Sequence, residues 1–445
     1  MKLIYGINDK PKFSKLIIFA IQQLLAIMAA TLVVPVIVGN GMSPAAALFG
    51  AGVGTIVYLL FTKFRSPVFL GSSFAFIGSM GAAFAGAATI ALGYLGLIIG
   101  AILGGLVYVI IAILVKFVGV NWLNKLMPPV VVGPTVAIIG LSLAGNAVGD
   151  LGTAPAGGHK LVAILCGLVT FGAVILASTF GKKMAKLIPF IIGILSGYAL
   201  ALVLTVIGNI AGINAIKVID FSSLQALFAN GVTLNTFVSV PDFTFVKALG
   251  AFDQLNGSYI ATVVAAYVPV AFVVFAEHIA DHKNISSIIE KDLLEDPGLD
   301  KTLLGDGVGS MAGAFFGGCP NTTYGESVAC VAITGNASVA TIFTAAIGAI
   351  LIAFLSPFVA FVNSIPSCVM GGVCMALYGF IAVSGLKMIQ KVDLEQNKNL
   401  FVVSAILIAG IGGLTVSFGQ VTITSIACAL ILGIITNLVL SKKDA

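Results

Sequence analysis

From end to end the chain repeats one pattern: apolar runs of bilayer-crossing length, broken by short clusters of lysine, proline and glycine. A hydrocarbon core about 30 Å thick takes roughly 20 apolar residues per helix, and inside it every backbone N–H and C=O must find an internal partner. Breaking the sequence at charges, prolines and glycine clusters gives about 14 segments, at 16–38, 45–62, 68–84, 90–116, 127–148, 160–180, 185–209, 257–280, 299–317, 322–334, 337–362, 366–386, 398–418 and 421–440. Only 9% of the 445 residues are charged and 59% are hydrophobic, whereas soluble chains carry about 25% charged residues. The expected fold class is an all-α polytopic membrane protein.

Charge placement tests that count. With the N-terminus inside, 19 of the 22 Lys and Arg residues fall in inner segments, and only Lys160, Lys217 and Lys247 fall outside. One span more or fewer would destroy this asymmetry downstream, so both termini are expected on the cytoplasmic side. Met1–Ser14, lysine-bearing and without a small-residue cleavage site at the right distance, reads as a cytoplasmic tail rather than a signal peptide. The net charge of +5 comes from lysines scattered between spans, which suits a membrane topology and not a nucleic-acid surface. The six cysteines form no CxxC pair and have no metal-ligand spacing, so they read as packing residues.

Two sevens of opposite orientation imply inverted repeats, and a trace of repetition is visible. Met127-Pro128-Pro129-Val130-Val131-Val132-Gly133 opens the fifth segment and Ile365-Pro366-Ser367-Cys368-Val369-Met370-Gly371 opens the twelfth. The third segment of each half is a poor helix: Leu70-Gly71-Ser72-Ser73-Phe74-Ala75-Phe76 in one, and Cys319 to Glu326 in the other. Interrupted segments at corresponding positions of two repeats point to a transporter's binding site, although each could also be an ordinary helix whose hydroxyls bond back to its own backbone.

Acids inside apolar runs carry the chemistry. A carboxylate near mid-membrane costs roughly 2.5–3.5 kcal/mol on insertion scales, so it normally faces a cavity, binds something polar or carries a proton. Glu277 lies in the eighth segment and Glu326 in the tenth. A helix starting near Gly325 directs free N–H groups and a positive dipole end at a ligand. Such a pair suits a flat ligand whose N–H donors alternate with carbonyl acceptors. The plainer readings are a buried Glu277 satisfied by a neighbouring helix, and Glu326 as a helix-start acid. Asp281 follows Glu277 by four residues, on the same helix face. It is either part of a proton relay or a solvated acid at the end of its span beside Lys283. His278 and His282 point off that face. Asp306, between Gly305 and Gly307, reads as an interfacial acid, with lining of the ion path as the alternative. Tyr378 reads as packing or as a polar-tipped residue of the site.

Here a family resemblance emerges. The runs Gly71-Ser72-Ser73-Phe74-Ala75-Phe76, Ala276-Glu277-His278, Lys291-Asp292-Leu293-Leu294-Glu295-Asp296-Pro297-Gly298-Leu299 and Pro320-Asn321-Thr322-Thr323-Tyr324-Gly325-Glu326 resemble those of the bacterial uracil permeases. These belong to the nucleobase–ascorbate transporter family, also called nucleobase:cation symporter-2. The resemblance implies 14 segments in two inverted seven-segment repeats, with short antiparallel strands in segments 3 and 10. It implies a core domain at 14–118 and 256–363 and a gate domain at 119–255 and 364–441. It assigns base contacts to Glu277 and Glu326, backbone contacts to Phe74 and Gly325, and stacking or lining to Tyr324 and Tyr378. Three departures stand out. The family's Gln-His pair is Gln22-Gln23; Ser327 and Ala329 replace an asparagine and a glycine; and Asp281 stands where some uracil permeases have a histidine.

The expectation is a uracil:proton symporter of the bacterial plasma membrane working by alternating access, with Glu277 and Asp281 as the proton-coupling pair. No cofactor is expected beyond the coupling proton, and the partners are uracil and the lipid bilayer. A purine (xanthine or urate) symporter of the same family and a passive small-solute channel are the alternatives. An enzyme is not expected, because no nucleophile keeps usable spacing to a base. The oligomeric state is left open, a homodimer included.

Overall fold

A computed structural model describes residues 3–119, 121–182, 184–229, 231–418 and 421–441. Lys2, Lys183, Lys442 and Lys443 of the charge count lie outside the described residues. In chain order the principal elements are α1 (Phe13–Val38), α2 (Pro44–Phe61), β1 (Leu70–Ser72), α3 (Ile77–Ala85), α4 (Ile90–Val118), α5 (Pro129–Leu151), α6 (Lys160–Phe180) and α7 (Pro189–Ala211). The second half runs α8 (Gly257–Ile289), α9 (Leu299–Gly317), β2 (Asn321–Thr323), α10 (Gly325–Thr334), α11 (Val339–Ile352), α12 (Ser367–Ile389), α13 (Asn397–Ile411), β3 (Val416–Phe418), β4 (Val421–Ile423) and α14 (Ser425–Ser441).

Among the described residues, eight helices (α1, α2, α4 to α8 and α12) are long and apolar enough to cross a membrane. The rest of the expected segments are built from shorter helices, apart from the ninth, where α9 is 19 residues long but less apolar. The protein is therefore a multi-pass membrane protein, mostly helical, with two small antiparallel sheets. Side-chain caps start several helices: Ser43 Oγ accepts the Ala46 N–H at 3.2 Å, Thr89 Oγ1 that of Leu92 at 3.2 Å and Asn256 Oδ1 that of Tyr259 at 2.8 Å.

Three expected boundaries move. The eighth segment does not stop at 280, because α8 continues to Ile289. The eleventh is two helices, α11 and a short one at Ser356–Asn363. Between them the Phe354 carbonyl accepts from Ser239 at 2.9 Å, and Pro357 suits the first turn of the restarted helix. The expected junction of the last two segments is instead the β3–β4 hairpin, where β-branched Val416, Val421, Thr422 and Ile423 favour extended backbone.

Loops assigned to one side by charge do lie together. Lys247 donates to the Gly41 carbonyl at 2.6 Å, and His159 donates to that of Ala215 at 2.7 Å. At the other end Asp296 bridges Arg65 and Lys291, each at 2.7 Å, and the Ile4 N–H donates to the Gly335 carbonyl at 2.7 Å. These two cations hold the exposed Asp296 carboxyl down at about 2.

The helices pack in two groups. One comprises α1, α2, α4, α8, α9 and α11; the other α5, α6, α7, α12, α13 and α14. In the first group α2 and α9 meet along glycines: a Cβ on Gly50 would strike the Gly313 carbonyl. Without a hydrophobic drive between helices in lipid, such close backbone approach holds them together. The gap also seats the Asn321 side chain, whose amide donates to the Gly50 carbonyl at 3.1 Å. One end of β2 is thereby fixed.

Candidate functional site

The two broken segments repair each other. β1 and β2 pair antiparallel, with Leu70 opposite Thr323, Gly71 opposite Thr322 and Ser72 opposite Asn321. Flanking bonds extend the ladder: Tyr324 N–H to the Phe69 carbonyl at 3.2 Å and Ser73 N–H to that of Pro320 at 2.9 Å. Backbone that could not survive alone at membrane depth is satisfied this way. Gly71 is required by contact, since a Cβ there would collide with the Tyr324 ring. That ring is buried, and its hydroxyl donates to the Ser72 carbonyl at 2.7 Å, stapling the two strands.

Beyond the strands, α10 opens with Tyr324 as its N-cap and Glu326 in the first turn. It faces α8 across a cavity of about 420 Å³, within the size range of small-molecule sites. Glu277, Asp281 and Glu326 all line it, together with Phe74, Tyr324 and Gly325. Three carboxylates thus surround one mostly apolar space. Asp281 is not at the solvated end of its helix. It is partly buried, its Oδ2 accepts the Thr323 hydroxyl at 2.9 Å, and its other oxygen looks toward Gly325.

The cavity extends toward Lys186, Ile333 and Met388, the end of the bundle that carries most of the lysines. Lys186 is its one lining cation among the described residues. On the opposite side Phe74 closes against Tyr378, edge to face with ring centroids 6.3 Å apart. Tyr378 itself is 2% exposed and does not line the cavity; it backs Phe74.

Several residues of the site escaped sequence reasoning. Thr322 lines the cavity with a buried hydroxyl that has no partner among the described residues, and Thr323 positions Asp281. A polar run at the break was the available signal, but only the paired strands bring Thr322 and Thr323 to the cavity wall. Two of the departures also meet. The Gln23 amide donates to Ser327 Oγ, which in turn accepts the Phe69 N–H at 3.0 Å. They lie 304 positions apart, so only the fold joins them.

Asp306 is not interfacial. It is 1% exposed and lies 2.7 Å from His278 Nδ1, while His278 Nε2 meets Thr302 Oγ1 at 3.1 Å. His282, also fully buried, lies 2.7 Å from the Tyr58 hydroxyl, which bonds Ser66 at 2.6 Å. The acid was misplaced because flanking glycines suggest an exposed helix start. They serve instead to bring α9 against two neighbours: a Cβ on Gly305 would press on Tyr58 of α2, and one on Gly307 on Tyr108 and the Gly105 carbonyl of α4. The six cysteines are free and buried.

An acid-lined cavity between two helix groups, where two broken segments pair through strands, defines a membrane transporter rather than an enzyme. The chain belongs to the Permease family, which it matches over residues 14–418. It is 38% identical to the uracil permease of Bacillus caldolyticus, covering 99% of this chain and 96% of that protein. Identity to the uracil permease of Bacillus subtilis strain 168 is also 38%, over 99% and 96%. The uracil permease of Escherichia coli K12 is 34% identical over 98% of this chain and 93% of its own length. Among solved structures, the transmembrane domain of a cyanobacterium bicarbonate transporter, BicA, aligns with TM-score 0.64 at 15% identity, over 97% of this chain and 100% of that one. The murine Solute Carrier 26 family member A9 anion transporter, in its inward-facing state, aligns with TM-score 0.65 at 10% identity, over 98% and 70%. These structural likenesses speak to the fold alone.

Proposed function

We propose that the protein is a uracil:proton symporter of the bacterial plasma membrane. The observation that carries this reading is the convergence of Glu277, Asp281 and Glu326 on one cavity at the start of α10, in a chain whose full-length relatives are named uracil permeases. Uracil presents two N–H donors and two carbonyl acceptors around one flat ring. Glu277 and Glu326 accept from the ring N–H groups, and the free backbone N–H groups at Gly325 and Phe74 donate to its carbonyls. Tyr324 contributes its ring face, since its hydroxyl is already used, and Tyr378 acts through Phe74.

Glu277 binds and takes up the coupling proton together with Asp281, one turn along the same face. A proton on this pair lowers the cost of holding adjacent acids in an apolar cavity, so proton and base binding favour each other. The two packing groups support a core of 14–118 and 256–363 and a gate of 119–255 and 364–441, moving around the site by alternating access. The positive-inside pattern puts the lysine-rich end, and both termini, in the cytoplasm. The cavity then opens inward. Uptake of radiolabelled uracil into proteoliposomes under an imposed pH gradient, with xanthine, urate and cytosine as competitors, tests the reading. Accumulation that collapses with a protonophore is expected. Equilibration without accumulation would mean a passive channel, and competition by xanthine alone would mean a purine carrier.

A further inference from the structure

Beside Asn321 at the start of β2 lies a second and much smaller cavity of about 10 Å³ between α4, α8 and α9. Tyr108, Asp306, Ser310 and Asn321 supply its polar lining, and Phe76 and Val274 part of its apolar lining. Two polar atoms of its lining residues, Asp306 Oδ1 and the Tyr108 hydroxyl, have no hydrogen-bond partner among the described residues. Their residues are 1% and 4% exposed. Buried polar atoms are almost always partnered, by protein or by ordered water.

We propose that this cavity binds a single water molecule that bridges Tyr108 and Asp306. The volume is about that of one water-sized sphere, and two to four polar partners are what a buried water requires. The hydrogen-bond roles choose the occupant. Thr302 Oγ1 donates to the Leu299 carbonyl at 3.1 Å, so it accepts from His278, and the imidazole carries a proton on Nε2. One further proton lies between His278 Nδ1 and Asp306 Oδ2, 2.7 Å apart. Whichever of the two atoms holds it, Asp306 Oδ1 remains an acceptor and needs a donor. Tyr108 needs an acceptor for its O–H. Water meets both needs at once, whereas a metal cation would satisfy the carboxylate and leave the phenol proton unaccepted. Lining atoms around a water-sized sphere also stand farther off than the roughly 2.0–2.6 Å of hard-cation coordination.

The bound water ties α4 to α9 beside the start of the strand whose other residues, Thr322 and Thr323, line the substrate cavity. Its role goes beyond the transport reading and does not depend on which base is carried.

A structure of the purified carrier at about 2 Å resolution, determined in sodium and again in choline buffer, tests the proposal. The expected result is one isolated density peak at hydrogen-bond distance, roughly 2.6–3.2 Å, from both Asp306 Oδ1 and Tyr108 Oη, in both buffers. No peak, or a peak with shorter oxygen distances that vanishes in choline, overturns it. In Tyr108→Phe the peak should weaken or disappear. A peak of full occupancy in that variant also counts against the bridge.

Discussion

Thr323 Oγ1 donates to Asp281 Oδ2 at 2.9 Å, so a strand residue of one broken segment holds an acid of the intact helix opposite. That bond fixes the direction in which Asp281 looks, and it makes the two roles of the site separable. Thr323→Val keeps the shape and removes the donor. Asp281→Asn removes the charge that a coupling proton neutralises. Both variants should still bind uracil, measured by calorimetry. Asp281→Asn should flatten the dependence of uptake on an imposed proton gradient, and Thr323→Val should shift its midpoint. A gradient response unchanged in Asp281→Asn removes this acid from coupling.

Glu326 is assigned mainly to the ligand. Hydrogen bonds to charged groups are worth about 1.5–3 kcal/mol, so Glu326→Ala should weaken uracil affinity by about 10- to 100-fold, at 1.4 kcal/mol per decade. Equilibrium binding to purified protein is the measurement. Uptake that persists at full rate and affinity would falsify the site assignment.

Gly71 has no room for a side chain beneath Tyr324. Gly71→Ala should displace the Tyr324 ring, break its bond to the Ser72 carbonyl and lower both the melting temperature and the transport rate. Tyr324→Phe, which deletes only that hydroxyl, should cost about 1–3 kcal/mol by leaving a buried carbonyl less well satisfied while retaining measurable uptake. Thermal unfolding followed by intrinsic fluorescence compares the two.

Gln23 and Ser327 should behave as a coupled pair. Ser327→Ala strands the Gln23 amide and the Phe69 N–H, while the double change Gln23→Leu with Ser327→Ala removes the amide as well. A double-mutant cycle should therefore give an interaction of about 0.5–3 kcal/mol. Strict additivity would mean that the contact contributes nothing.

The Asp296 clamp has a defined pH window. Its carboxyl is held down at about 2 by Lys291 and Arg65, below its ordinary value of about 3.9. The folded-state value is depressed, so its contribution is fully present above the ordinary value and is lost as pH falls toward about 2. Between pH 5 and 8 the group does not titrate. Asp296→Asn should leave the shape of the uptake–pH profile in that range unchanged, although this exposed clamp should weaken with salt.

The eighth helix shows why part of the site was legible in the sequence and part was not. Glu277 and Glu326 stand out in one dimension because a carboxylate in an apolar run is costly wherever the helix packs. The broken segments stand out because glycine and hydroxyl residues interrupt a helical run. Asp281 was ambiguous because its helix continues past the expected end to Ile289. A sequence pattern reports where apolar residues stop, not where hydrogen bonding does.

Composition, charge asymmetry and the placement of two acids determined by themselves that this is a multi-pass bundle with a polar site at two broken segments. Solvent preference acts on each residue separately, so it can be read in order along the chain. Tertiary structure decided the rest: that Thr322 and Thr323 line the cavity, that Tyr378 packs behind Phe74, that Asp306 is buried against His278, and that Gln23 finds Ser327. Each of these depends on which backbones can approach closely, along glycine faces and across a three-residue sheet. Such contacts join residues far apart in the chain, and no local pattern encodes them.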